Sequence, residues 1–343
     1  MVLAVDAMGG DHAPQAVVAG AVQAARRVQG EILLVGPAER LTTLLPRVGA
    51  PRNLRVVDAP QVVAMDEDPA RAVRTKPDSS LAVAVNLVRD GEAQAVVSAG
   101  NSAAFMFLAQ VRLRCIPGLQ RSAIAAPLPG VGGSKLLIDA GANMDCKPVH
   151  LAQFGLMGSI YAEHVLGRPQ PRVGLLSIGH EPGKGDELTR RAHELLRETP
   201  ICFVGNVEGN HLFGDGVDVV VCDGFVGNVA LKVTEGIAQY LMQLLREQLG
   251  TGLRHRLGAW LVRPGLRQVK AAGDYAAYGG ALLLGVNGIC VVCHGRSSAL
   301  AIENALLVAQ SAVTGGVVQH LAEGLERLAA TLREREPVAA PAP

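Results

Sequence analysis

Aromatic residues make up only 3% of this 343-residue sequence, with a single tryptophan. A core must therefore be assembled from alanine, valine, leucine and glycine, and the 49% hydrophobic content is ample for one large domain or two lobes. An excess of one charge is also missing. The 32 basic and 31 acidic residues leave a net charge of +1, which removes any global case for nucleic acid and leaves recognition to local patches. Lysine is scarce: Lys76, Lys135, Lys147, Lys184, Lys232 and Lys270 are the full set. No stretch reaches the roughly 20 apolar residues of a membrane-spanning helix. The opening MVLAVDAMGG has no basic leader and no long apolar run, so a cytoplasmic protein is expected.

The six cysteines lie scattered in apolar surroundings, which suits reduced core thiols better than a disulfide framework. Cys290 and Cys293 form a C-x-x-C within GICVVCHG. That segment reads as a strand, where an offset of three puts the thiols on opposite faces and argues against a metal or redox pair.

Several catalytic fingerprints are absent. DAMGGD lacks the G-x-G-x-x-G spacing, and Glu31 opens the second strand where a ribose-binding acid would close it, which disfavours a dinucleotide site. GHEPGKGD departs from the Walker pattern in glycine spacing and in the residue after Lys184. No serine sits in a G-x-S-x-G elbow. Asp139, Asp145, Asp215, Asp218 and Asp223 show no recognised metal-ligand spacing, so no metal is expected.

What is present begins at MVLAVDAMGGDHAP. A short apolar run ends at Asp6; Gly9 and Gly10 allow backbone conformations closed to other residues, and Pro14 suits the start of a helix. Free amides at such a strand-to-helix turn favour an anion, with a plain tight turn as the alternative. A helix over 15–28 and a strand over 31–36 follow. Further apolar runs lie at 54–57, 95–97, 136–138, 173–178, 201–204, 217–221 and 289–292, separated by amphipathic stretches such as 79–88, 149–165 and 187–198. This alternation predicts an α/β protein, a largely parallel sheet covered by helices on both faces. Chemistry in such folds gathers at the carboxyl ends of the strands. Seven of these ends pair glycine with Asn, Asp or Ser: DAMGGD, SAGNSAA, DAGANMD, SIGHEPGKGDE, GNVEGN, DGFVGN and HGRSS. Together they predict a cleft rich in amide donors, with Lys76, Lys184, Asn101, Asn143, Asn206, Asn228 and His294 available to hold an oxyanion.

Residues 241–270 stand apart as a basic amphipathic helical insertion. Leucines and Trp260 accompany Arg246, Arg254, Arg256, Arg263, Arg267 and Lys270 against a single acid, Glu247. A membrane surface or an acidic partner would fit, as would a helix pair packed on the core or a subunit interface. Residues 1–336 read as one catalytic unit, and the tail PVAAPAP at 337–343 as disordered.

DAMGGDHAP, KPDSSL, SAGNSAA, IDAGANMDCKPVHL, GLLSIGHEPGKGDEL, GNVEGN, VDVVVCDGFVGNVALK and HGRSS, in this order across residues 6–298, closely resemble the bacterial phosphate acyltransferases of phospholipid synthesis. The resemblance covers nearly the whole chain. It departs at Ser102 and Ala103, where Thr-Gly is usual, at His180 and Pro182, where acids are common, and at Arg296. It implies a three-layer α/β/α fold similar to isocitrate and isopropylmalate dehydrogenases and to phosphotransacetylases, a homodimer, and no metal or nucleotide cofactor. It further implies that inorganic phosphate attacks the thioester of a fatty acyl group on acyl carrier protein. The acyl phosphate then passes to a membrane glycerol-3-phosphate acyltransferase.

On this expectation Gly9, Gly10 and Asp11 shape an anion loop, and Lys76, Ser79, Ser80, Asn101 and Ser102 offer donors to phosphate. Asn143, Lys184, Asn206, Asn228 and His294 serve the oxyanion or the leaving thiolate, while Asp139 and Asp223 orient loops. For each of these, a loop-stabilising hydrogen bond is the alternative. Arg254, Arg256, Trp260, Arg263 and Arg267, with Leu253, Leu257, Leu261 and Leu266, would meet the carrier protein or the inner face of the membrane. Two other classes remain open at this stage: a nicotinamide-dependent dehydrogenase of the isopropylmalate or pyridoxine-pathway type, and a membrane-surface scaffold.

Overall fold

Short apolar strands with side chains buried on both faces build the sheet. In the first, Val2–Asp6 (β1), Leu3 and Val5 enter one core cluster and Ala4 enters another. The same period of two places Leu136 and Ile138 on one face and Leu137 on the other. A computed structural model describes residues 1–49, 51–265 and 278–335.

The remaining strands are Glu31–Gly36 (β2), Leu54–Asp58 (β3), Ala95–Ser98 (β4), Ala123–Leu128 (β5), Lys135–Ile138 (β6), Arg172–Leu176 (β7), Cys202–Val207 (β8), Val219–Val221 (β9), Ala281–Leu284 (β10) and Ile289–Val292 (β11). They form one 11-stranded sheet in the order β3-β2-β1-β4-β11-β10-β5-β6-β9-β7-β8. One face is covered by Gln15–Ala25 (α1), Pro148–His164 (α6) and Glu187–Glu198 (α7), and by Ala299–Thr314 (α10) and Val317–Arg335 (α11), which close the described chain. Ser80–Arg89 (α4) and Ser102–Leu113 (α5) cover the other face over the first half of the sheet. The short helices Ala38–Val48 (α2) and Pro69–Thr75 (α3) complete that half. The predicted three-layer α/β sandwich is therefore observed.

The sheet is less uniformly parallel than its sequence suggests. β3, β2, β1, β4 and β11 run parallel, as do β6, β9, β7 and β8. Between them, β10 is antiparallel to both β11 and β5, and β5 is antiparallel to β6. Three reversals turn the second half of the sheet end for end. The glycine-rich exits of β1, β4 and β11 thus lie on one edge, and those of β6, β7, β8 and β9 on the opposite edge. The seven exits do not open onto a single edge, contrary to the sequence expectation.

Residues 241–270 also differ from a separate insertion. Their first ten residues complete a 27-residue helix, Gly224–Gly250 (α8), which starts at the exit of β9; Gly252–Leu261 (α9) follows it. Leu266, Arg267 and Lys270, like the tail at 337–343, lie outside the described residues. No single helix among the described residues is long and apolar enough to cross a membrane. Cys290 and Cys293 are buried in clusters on opposite faces, as the strand reading requires.

Candidate functional site

The first edge is crowded with polar groups that are already engaged. Asp6 is fully buried and accepts from Ser98 Oγ at 2.7 Å and from the Met8 amide. Burial raises its pKa, and hydrogen bonds from Ser80 and Ser98 partly offset that rise. Gly9 packs so closely that a Cβ would lie 2.6 Å from the Asp6 carboxylate and from the Gly100 amide. Gly10 has φ +105°, and the Asp11 amide donates to the Gly295 carbonyl at 2.8 Å. The loops after β1, β4 and β11 therefore interlock.

Lys76 donates to Glu67 at 2.6 Å and to the Val62 carbonyl at 2.8 Å, and this partner holds the Glu67 carboxyl below its usual range. Ser79 caps α4 and Asn101 caps α5; the Asn101 amide also donates to the carbonyls of Met65 and Glu67. Ser102 is the first residue of α5. Among the predicted phosphate donors, Lys76, Ser79 and Asn101 thus hold loops together. His294 lies exposed on this edge, and partial desolvation, with Arg296 and Lys232 nearby, keeps it below the ordinary imidazole range.

The second edge is built around Asp139. Its carboxylate accepts from the amides of Ile124, Gly141, Ala142 and Asn143 and from the Asn143 side chain, at 2.7–3.2 Å. Burial raises its pKa and the donors pull it back. The helix α8 docks directly on this loop. A Cβ on Gly224 would lie 2.6 Å from the Asn143 carbonyl and 2.8 Å from the Asp139 carboxylate, and one on Gly227 would run into the Asp139 carbonyl. Asp223 caps the helix through the Phe225 and Val226 amides, and the Gly224 amide donates to the Asn143 carbonyl, so the first amides of α8 are engaged at this edge.

Asn143 also donates to the Ser122 carbonyl at 2.8 Å. Asn206 donates to the Glu181 carbonyl at 2.8 Å, and its oxygen lies 2.9 Å from His193 Nδ1, which ties the loop after β7 to β8. Both asparagines are buried and committed to the fold. Lys184 and Asn228 differ: among the described residues neither side chain has a hydrogen-bond or ion-pair partner. Lys184 is exposed on the loop after β7, which is the neighbour of β9. Asn228, one turn into α8, packs against Gly141, where φ is +135° and a Cβ would approach the Asn228 side chain at 3.5 Å. A free ammonium on the loop after β7 and a free amide on the helix after its neighbour β9 can receive an anion and a developing oxyanion.

Across residues 1–320 the chain matches the model of a family described as "Fatty acid synthesis protein". It is 49% identical over 331 residues to the phosphate acyltransferase of Desulfitobacterium hafniense, covering 96% of this chain and 99% of the relative. The chain belongs to the phosphate acyltransferase family. Its fold is shared more widely. A phosphotransacetylase from Streptococcus pyogenes superposes with a TM-score of 0.63 at 15% identity, covering 92% of this chain and 94% of the other. A protein described as a putative 4-hydroxythreonine-4-phosphate dehydrogenase from Salmonella typhimurium gives 0.51 at 14% identity, covering 91% and 99%. These two likenesses concern fold alone.

Tethered and free asparagines have different mutational consequences. Asn143→Ala leaves the Ser122 carbonyl unpaired and is expected to cost about 1–3 kcal/mol of stability, measured by urea unfolding. Asn228→Ala and Lys184→Ala are expected to unfold like the parent yet lose about 100-fold or more in acyl transfer; full turnover in either variant removes that residue from the chemistry.

Proposed function

We propose that this member of the phosphate acyltransferase family transfers a fatty acyl group from acyl carrier protein to inorganic phosphate, with phosphate attacking the thioester directly. The observation that carries the reading is the second edge, where Asn228 stands free in the first turns of α8 and Lys184 stands free on the loop after β7, the strand beside β9. Lys184 attracts and positions the phosphate dianion. Asn228 meets the negative charge that moves onto the carbonyl oxygen as the carbon becomes tetrahedral. Collapse of that intermediate expels the carrier thiolate and leaves acyl phosphate, so no acyl-enzyme is required. Asn143, Asn206 and Asp139 act one layer back, holding the three loops in register. The first edge, with Gly9, Gly10, Asp11, Ser80, Ser102 and His294, is a second place for phosphate, but three of its predicted donors are occupied within the protein.

The exposed apolar side of α8 supports a homodimer. Val233, Ile237, Leu241, Leu244 and Leu245 recur at helical spacing and face solvent. Beyond them Trp260 is 66% exposed, Leu261 and Val262 are exposed as well, and Arg254 and Arg263 stand nearby in sequence. This combination suits peripheral contact with an anionic membrane, where a downstream membrane acyltransferase would receive the product. Arg256 lies in the same helix, α9.

The direct test supplies palmitoyl acyl carrier protein with and without phosphate, follows free thiol and traps the product with hydroxylamine. Phosphate-dependent thiol release with matching hydroxamate is expected; release without phosphate would make the protein a thioesterase. Light scattering of Ile237→Asp checks the dimer, with a shift toward monomer expected and an unchanged mass counting against α8. Replacing Arg254, Arg256 and Arg263 by glutamine is expected to weaken sedimentation with anionic vesicles, and undiminished sedimentation would count against membrane contact.

A further inference from the structure

Three large apolar side chains at the strand exits of the second edge are left in solvent. Ile178 is 82% exposed, and Met144 and Phe225 are each 60% exposed. They come from the exits of β7, β6 and β9, strands that lie side by side in the sheet. Single exposed hydrophobes are ordinary on a protein surface. These three are not scattered, because they stand at the exits of neighbouring strands that carry the candidate site. Met144 follows Asn143, whose carbonyl accepts from the Gly224 amide at 2.8 Å, so Met144 and Phe225 flank one hydrogen bond. Phe225 lies three residues before Asn228 on the same helix, a spacing that puts the two on neighbouring positions of one face. Ile178 begins the loop that carries Lys184.

Loose structure does not explain the exposure of Ile178. The loop is pinned at Ser177 by the Val207 carbonyl, at Glu181 by the Asn206 amide and within itself by the Lys184 amide, and it ends at Asp186, which caps α7. An isoleucine fixed in water by its own loop gains only when something apolar covers it, since burying such surface is favourable in proportion to its area.

Building on the acyl-transfer reading, we propose that Met144, Ile178 and Phe225 form the seat for the first methylenes of the fatty acyl chain, next to the thioester that reacts at Lys184 and Asn228. Continuity with that donor cluster selects the occupant. The only substrate segment that must adjoin a reacting thioester carbonyl and is also apolar is the start of its acyl chain. The seat orients the carbonyl by gripping the carbons beyond it and makes turnover depend on chain length, each methylene it buries being worth about fourfold in kcat/KM. A separate apolar cavity of about 220 Å³, lined by Val149, Ala152, Leu195, Leu325 and Leu328 between α6, α7 and α11, is the competing location for the chain.

The test compares butyryl, decanoyl and palmitoyl acyl carrier protein as substrates of the full-length protein, Ile178→Ser and Phe225→Ser, with melting temperature and mass by light scattering as controls. The parent protein is expected to prefer the longer chains, and the palmitoyl-to-butyryl ratio of kcat/KM is expected to fall at least tenfold in each variant. An unchanged ratio, or a uniform loss accompanied by a change of oligomeric state, overturns the seat and assigns these side chains to the surface or to a subunit contact. Photolysis of a palmitoyl thioester bearing a diazirine on its third carbon reads position without turnover. Adducts on peptides containing Met144, Ile178 or Phe225 are expected, and adducts confined to α6, α7 and α11 overturn the proposal. A parent protein that labels at the seat but shows no phosphate-dependent turnover would instead refute the acyl-transfer reading and leave the seat standing.

Discussion

The carboxylate of Asp139 gathers donors from the neighbouring strand and from its own loop, and the second half of the molecule depends on that gathering. Its oxygens hold the Ile124 amide of β5, three amides of its own loop and the Asn143 side chain. Hydrogen bonds to a charged group contribute about 1.5–3 kcal/mol each, which counters part of the cost of burying this carboxylate and fixes the loop. The fixed loop then becomes the floor on which α8 stands. Gly224 and Gly227 permit that contact because neither carries a Cβ. The position of Asn228, and the direction in which the helix amino end points, follow from this docking.

The second constraint is direction. Two antiparallel strands at the centre of the sheet reverse its second half, so glycine-rich turns of similar composition take different duties on opposite edges. On the first edge they interlock, with Lys76 closed onto Glu67 and Asn101 spent on the loop that carries Met65 and Glu67. On the second edge the loops support two side chains without consuming them. The edges remain in contact through α8, which leaves the β9 exit and reaches the loop after β11, where Glu235 lies 2.9 Å from Lys232 and 3.9 Å from Arg296. A structural change at either end therefore has a continuous helix along which to act.

Much of this was legible in the sequence. The apolar runs of β1, β2, β4 and β6 and the boundaries of α7 follow from periodicity and caps. The pair Cys290 and Cys293 falls on opposite faces for the reason strand geometry gives. β5 and β10 were not legible, because AIAAPL and ALLL consist mainly of alanine and leucine, with a proline in the first, and carry little β preference. With them went the reversal, since periodicity reports which face a residue occupies and says nothing of strand direction. The capping role of Ser79 and Asn101 was within reach, as Ser and Asn before an apolar helical run are ordinary cap residues. The partner of Lys76 was not, because nothing in KPDSSL shows that Glu67 will lie beneath it. Membership of the phosphate acyltransferase family was legible from the loop motifs, whereas the separation of free from committed polar groups needed coordinates.

Whether phosphate reacts at the second edge is read from the location of a heavy phosphate mimic. Crystals soaked in selenate and measured at the selenium edge are expected to show an anomalous peak within hydrogen-bond reach of Lys184 Nζ and the Asn228 amide. A peak confined to the Gly9–Gly10 loop of the first edge would place phosphate there instead and rule out reaction at the second edge.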